Sequence, residues 1–202
     1  MTGQLPYQDP SLPLEERVED LLARMTLEEK AGQMFHTMVM IPPDGEFDVD
    51  MGAFGLATIR EMTDKHMTHF NLVGSAGARE TAAWTNKLQA LTASKRLGIP
   101  ATLATDPRHS FSDNPGVHMA TAAFSQWPEA PGLAAIGDDK LVEEFADIAR
   151  QEYLAVGLRS ALHPVADLAT EPRWARVNGT FGEDNQLAAK LVAAYIRGFQ
   201  GA

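Results

Sequence analysis

The chain is 202 residues long, 45% hydrophobic and 22% charged, a composition that can bury a sizeable core and excludes disordered and collagen-like polymers. A formal charge of −10, with no cluster of Lys or Arg to offset it, removes nucleic acid from the expected partners. The chain has 0 cysteines, so disulfide scaffolds, thiolate nucleophiles and Cys-ligated zinc are out, although this says nothing against secretion.

Met1 to Pro13 shows no basic segment followed by an apolar run, and no stretch approaches the roughly 18 continuous apolar residues of a membrane span. The default expectations are a cytoplasmic location and no membrane contact. The first helical signal is Leu14 to Met25, where Leu14, Val18, Leu21, Leu22 and Met25 recur at helical spacing. Thr26-Leu-Glu-Glu29 then reads as a capping box that opens a short helix, Leu27 to Gln33. Short apolar runs follow, separated by helical patterns. The runs Phe35 to Ile41, Thr68 to Val73, Ala101 to Thr105 and Ser160 to Ala166 read as buried strands of a parallel sheet.

The helices expected between and after them are Arg79 to Arg96, Asp139 to Val156 and Asn185 to Gln200. On the last, Leu187, Leu191, Tyr195 and Phe199 share one face. The first crossover, Pro42 to His66, carries turn signals at Pro42-Pro43-Asp44-Gly45 and at Gly52 to Gly55, so an irregular insertion is expected there. No internal repeat or low-complexity linker divides the chain, which predicts one structural unit. Four strand-then-helix units fit either a doubly wound sheet or about half of a (β/α)8 barrel, and periodicity does not separate the two.

Several familiar motifs fail. Gly74-Ser75-Ala76-Gly77 sits where a strand turns into a helix, the place for a phosphate loop, but it lacks the third glycine of a dinucleotide fingerprint and the Gly-Lys-Ser/Thr of a P-loop. A phosphorylated ligand there is a minor reading beside a plain strand-end turn. No G-x-S-x-G elbow is present. Histidines 36, 66, 69, 109, 118 and 163 contain no H-E-x-x-H, and scattered histidines are mostly packing or hydrogen-bonding residues, so neither metal nor cofactor is expected. Asn178-Gly-Thr180 matches a glycosylation acceptor and carries little weight without a signal peptide.

Polar residues at the carboxyl ends of parallel strands face the ligand in α/β proteins. Asp106 and Asp167 are read at that position, each with the alternative of a turn or N-cap aspartate. Beyond them Glu171-Pro-Arg-Trp-Ala-Arg176 and Val177-Asn-Gly-Thr-Phe-Gly-Glu-Asp184 gather arginine, aromatic and acidic groups. That mixture suits a sugar, since charged groups take hydroxyls and aromatic faces cover the apolar side of a pyranose. The alternative is that Arg173 or Arg176 pairs with Glu171, Glu183 or Asp184 to hold the loop in shape.

These stretches, in this order, resemble the N-terminal (β/α)8 domain of family 3 glycoside hydrolases, the β-glucosidase and exo-glucosidase group, from about Tyr7 to Ala202. The stretch Leu14 to Met34 looks like the family's opening helices, and Leu97-Gly-Ile-Pro100 leads into the strand that carries its substrate aspartate. Glu171-Pro-Arg-Trp-Ala-Arg176 with Thr180-Phe-Gly-Glu-Asp184 looks like the family's most distinctive loop.

The resemblance implies an incomplete TIM barrel of about four βα units, with residues 1–34 as leading helices. It implies that Asp106 accepts hydrogen bonds from the hydroxyls of a β-glucoside or oligosaccharide and that Arg176 holds the same sugar. Supporting or pocket-lining roles fall to His109, Asn114, Asp167, Arg173, Trp174 and Glu183. Two departures stand out: Ala175 where the family usually has glycine, and Leu103-Ala-Thr-Asp106 where it often has aliphatic-Gly-x-Asp. In the family the sugar-binding Lys-His pair, the nucleophile and the acid/base lie later in the chain, so no catalytic residue is expected within these 202. The implied function is therefore retaining hydrolysis of terminal β-D-glucosyl residues by an enzyme of which this chain carries part of the sugar site. The alternative is a non-catalytic carbohydrate-binding or structural half-barrel. For the enzyme fragment, open strand edges predict self-association or pairing with the other barrel half.

Overall fold

A computed structural model describes residues 5–48, 57–74, 76–111 and 123–201. Four strands form one parallel sheet: β1 (His36–Met40), β2 (His69–Val73), β3 (Thr102–Thr105) and β4 (Ser160–Ala161), hydrogen-bonded in that order. The helices are α1 (Leu14–Arg24), α2 (Leu27–Gly32), α3 (Ile59–Asp64), α4 (Ala78–Ala93), α5 (Ala130–Ile136), α6 (Asp139–Ala155) and α7 (Asn185–Gln200). A doubly wound sheet reverses strand order at a switch point, whereas here order in space follows order in sequence. The open choice between the two architectures thus falls to the barrel.

Register assigns the two faces of the sheet. Val39 pairs with Leu72, Phe70 with Leu103, and Leu72 with Thr105, so these residues share one face. All are buried, packed with Trp84 and Leu88 of α4 and Tyr153 of α6. Each such fully buried large apolar side chain contributes about 1.5–3 kcal/mol. The opposite face carries Met38, Asn71, Ala104 and Ser160 in one row across the strands. Met38 remains 47% exposed there, as expected of a face that looks into an unclosed barrel. A second core, built on Val142, Phe145, Ala149, Leu191, Ala194 and Tyr195, joins α6 to α7.

Local chemistry sets the ends of the helices. The predicted box forms at α2: Thr26 Oγ1 accepts from the Glu29 amide at 3.3 Å, and the Thr26 amide donates to Glu29 Oε2 at 2.9 Å. Glu29 is buried and also takes the Arg96 guanidinium, whose Nε donates to Oε1 at 2.8 Å. Chiefly because of that arginine, its carboxyl falls to about 2. Arg96 further donates to the Arg24 carbonyl at 2.9 Å, and Tyr7 donates to the Leu97 carbonyl at 2.7 Å, fastening the leading helices beneath the amino ends of the strands.

Three expectations change. The segment Pro42 to His66 is not wholly irregular: its turn ends at Gly45, φ 68°, but Thr58 and Glu61 form a second capping box that opens α3. The expected turn at Gly52 to Gly55 lies outside the described residues. A further short helix, α5, is bounded by Pro131 in its first turn and by Gly137 in the left-handed conformation, φ 72°. The fourth strand stops at Ala161 rather than Ala166; Pro164, three residues on, has no N–H with which to continue the ladder.

Candidate functional site

Asp106 immediately follows β3 at the carboxyl end of the sheet. Alternation along the strand puts it on the same face as Ala104, and the register sets Asn71 opposite Ala104, making Asn71 and Asp106 diagonal neighbours. They touch: Asn71 Nδ2 donates to Asp106 Oδ2 at 3.0 Å. The backbone of Asp106 is held as well, by the Tyr153 hydroxyl donating to its carbonyl at 3.2 Å.

Behind Tyr153 stands a relay that fixes a tautomer. The hydroxyl proton of Tyr153 is directed at Asp106, so its oxygen accepts from His163 Nε2 at 3.1 Å. Nδ1 of His163 is then the acceptor for the Tyr195 hydroxyl at 2.6 Å. His163 keeps some solvent exposure but is closely packed, and burial, with a smaller push from His109, lowers its pKa to about 3, so it is neutral. Burial likewise raises both tyrosines well above their ordinary value. The chain of groups ties the end of β3 to α6, to the segment after β4 and to α7.

Arg108 is only 3% exposed and, among the described residues, donates to neutral acceptors alone: Nε to Thr105 Oγ1 at 2.6 Å, Nη1 to the Gly74 carbonyl and Nη2 to the Leu72 carbonyl, both at 2.7 Å. Burial works against its charge, and Asp106 and Tyr153 are the groups nearby whose fields oppose that loss. His109 is equally buried; its Nε2 lies 2.9 Å from Glu152 Oε2 and its ring packs tilted or edge-on against Phe124, Phe145 and Tyr153. Desolvation lowers its pKa despite the carboxylate.

The other expected residues are placed as follows. Asp167 stands six positions beyond the end of β4 and is exposed, so it is not a strand-end aspartate. Arg173 makes a two-pronged pair with Glu171, Nε to Oε1 at 2.8 Å and Nη2 to Oε2 at 2.9 Å, and thus supplies the loop-shaping arginine. Trp174 donates its amide to the Glu171 carbonyl at 3.0 Å in the same turn. Arg176 is exposed at the head of the 3-10 turn Val177–Gly179, and among the described residues nothing pairs with its guanidinium. Glu183 is exposed just before the α7 cap, and Asn114 lies outside the described residues.

No contact joins Asp106 to Arg176, but the loops that carry them meet. Pro107, His109 and Ser110 on one side and Pro164, Gly179 and Phe181 on the other enclose a cavity of about 60 Å³, room for a few waters rather than a sugar ring. Neither Asp106 nor Arg176 lines it. At Gly74 to Gly77 the structure disfavours an anion: Glu80 folds back over the start of α4, so that a Cβ on Gly77 would lie 2.0 Å from Glu80 Oε2. Asn71, Arg108, Tyr153, His163 and Tyr195, which surround the end of β3, are the residues of this candidate site that sequence reasoning misses. The available signal was an amide and a buried arginine among apolar strand residues, which a periodicity reading absorbs.

Comparison with known proteins agrees with this architecture. Over 196 residues the chain is 53% identical to beta-glucosidase C of Emericella nidulans, matching 96% of this chain and 31% of that one. It is 50% identical over 198 residues to a periplasmic beta-glucosidase/beta-xylosidase of Dickeya chrysanthemi, covering 96% of this chain and 30% of the other. The chain thus spans about 31% of the length of the curated relatives it matches first. Among solved structures, the beta-glucosidase of Listeria innocua in complex with glucose superposes with a TM-score of 0.65 at 26% identity, over 93% of this chain and 24% of that one. The model of the glycosyl hydrolase family 3 N terminal domain matches residues 26–202, and to that family the chain belongs.

Proposed function

We propose that this chain forms the first half of the barrel domain of a retaining β-glucosidase and contributes Asp106 and Arg176 to the subsite for the terminal β-D-glucosyl unit. The observation that carries this reading is the anchored carboxylate: Asp106 stands at a strand end with backbone and Oδ2 both held, and among the described residues its Oδ1 has no partner. An ionised carboxylate only accepts hydrogen bonds, and a sugar hydroxyl supplies the donor. Retaining hydrolysis needs two carboxyl groups about 5–5.5 Å apart across the scissile bond, one to attack and one to protonate. On this reading neither Asp106, whose Oδ2 is held by Asn71, nor the exposed Asp167 belongs to that pair, and the nucleophile and acid/base would be supplied by other polypeptide of the enzyme.

The 202-residue chain is accordingly expected to bind D-glucose weakly and to leave an aryl β-glucoside uncleaved, with Asp106→Ala abolishing the binding. Turnover by the chain alone, or glucose binding indifferent to Asp106→Ala, refutes the assignment. β1 pairs only with β2 and β4 only with β3 among the described residues, and the inner face of the sheet shows Met38 to solvent. These open edges favour association with the other barrel half or with a second copy. Size-exclusion chromatography across a dilution series is expected to show concentration-dependent oligomers; a monomer at every concentration would count against open edges.

A further inference from the structure

Asn71 is a buried amide in the middle of an apolar strand, 8% exposed, flanked in sequence by Phe70 and Leu72. Among the described residues its side chain makes one hydrogen bond, to Asp106. Because a carboxylate can only accept, the amide nitrogen must face Asp106, which fixes the orientation of the group and turns Oδ1 away. That Oδ1 is buried and accepts nothing among the described residues. An unpaired buried acceptor is a net cost to folding, and an apolar side chain of the same shape would not carry it. Stability of the fold therefore does not account for an asparagine here.

What the amide does do is hold Asp106. The terminal torsion of an aspartate is broad, so an untethered carboxylate samples many planes and must be ordered when a ligand arrives. A bond at 3.0 Å to Oδ2 selects one plane and leaves Oδ1 as the accepting atom. The neighbour opposite Asn71 on β3 is Ala104, whose small side chain keeps the row between the two groups clear. We propose that Asn71 is a positioning residue for sugar binding: it acts through Asp106, fixing the carboxylate so that Oδ1 meets a hydroxyl of the glucosyl unit. This rests on the reading of Asp106 as a sugar ligand.

The test compares the parent chain with Asn71→Leu, Asn71→Met and Asp106→Ala. D-glucose is titrated by NMR, and thermal unfolding of each variant is followed by circular dichroism. The expected result is that either Asn71 variant binds glucose about tenfold more weakly, the loss of one charge-assisted bond, while its midpoint is equal to or above that of the parent. A residue with a merely structural role would instead lower the midpoint. The proposal is overturned if both variants bind glucose within twofold of the parent while Asp106→Ala does not bind. It is equally overturned if both unfold or melt lower, since Asn71 would then serve the fold. If the parent fails to bind, or Asp106→Ala binds as the parent does, the sugar reading of Asp106 falls first and the inference about Asn71 with it.

Discussion

Gly198→Val is expected to destabilise the chain by about 3 kcal/mol, near the upper limit for overpacking, because the new side chain meets backbone rather than a side chain that could swing away. A Cβ at Gly198 would stand 2.3 Å from the Glu143 carbonyl oxygen and 2.6 Å from Ala146 Cβ. Neither atom can yield without parting α7 from α6, and parting them exposes Phe145, Leu191, Ala194 and Tyr195. Glycine inside a helix is about 1 kcal/mol worse than alanine, so its presence in the last turn of α7 reflects how closely the two helices lie. Urea unfolding reads the effect directly. An unfolding free energy within about 0.5 kcal/mol of the parent would mean that the helices are not in contact at this point.

The second large effect is a loss of stability in weak acid that originates at His163. In the folded chain this imidazole is neutral down to about pH 3, because burial excludes the charged form. In the unfolded chain it titrates near 6.5. Between those values the unfolded state binds a proton that the folded state refuses, so stability is full above about pH 6.5 and drains away as pH falls toward 3. From neutrality to pH 5 the loss is about 2 kcal/mol, before most carboxylates begin to titrate. His109, also lowered by burial, adds to the same slope. His163→Gln keeps a side chain able to meet both tyrosine hydroxyls and removes the titration. Unfolding free energies measured by urea at pH 7, 6 and 5 should flatten in that variant; an unchanged pH slope would show that His163 is already solvated.

Periodicity found the strands and long helices because each has one dry face, and a dry face leaves a trace every two or every 3.6 residues. For α7 the predicted limits, Asn185 to Gln200, match the structure, since an aspartate cap and a terminal glycine mark its ends chemically. The misses have local causes. The capping box at Thr58 and Glu61 is as plain as that at Thr26 and Glu29, yet only six residues follow it and turn signals surround it. The fourth strand is overextended from sequence because Leu162 to Ala166 is mostly apolar, while the ladder ends at Ala161 and Pro164 has no N–H to extend it.

The strand-end position of Asp106 is legible in sequence, being a charge at the end of an apolar run. Its supports are not. Tyr153 and Tyr195 look like ordinary core aromatics of amphipathic helices, and only the folded geometry brings their hydroxyls to His163 from 10 and 32 residues away. Arginine 108 looks like a loop charge until its guanidinium is seen tucked among carbonyls.

That guanidinium also decides how the mouth of the half-barrel answers to force. It grips Leu72 and Gly74 at the tip of β2 and Thr105 at the tip of β3, and Thr105 in turn reaches back to the Leu72 carbonyl at 2.8 Å. Two strand tips riveted in this way cannot splay independently. Displacing either tip would therefore strain bonds to the other, so the two tips and the Gly74 carbonyl are mechanically coupled.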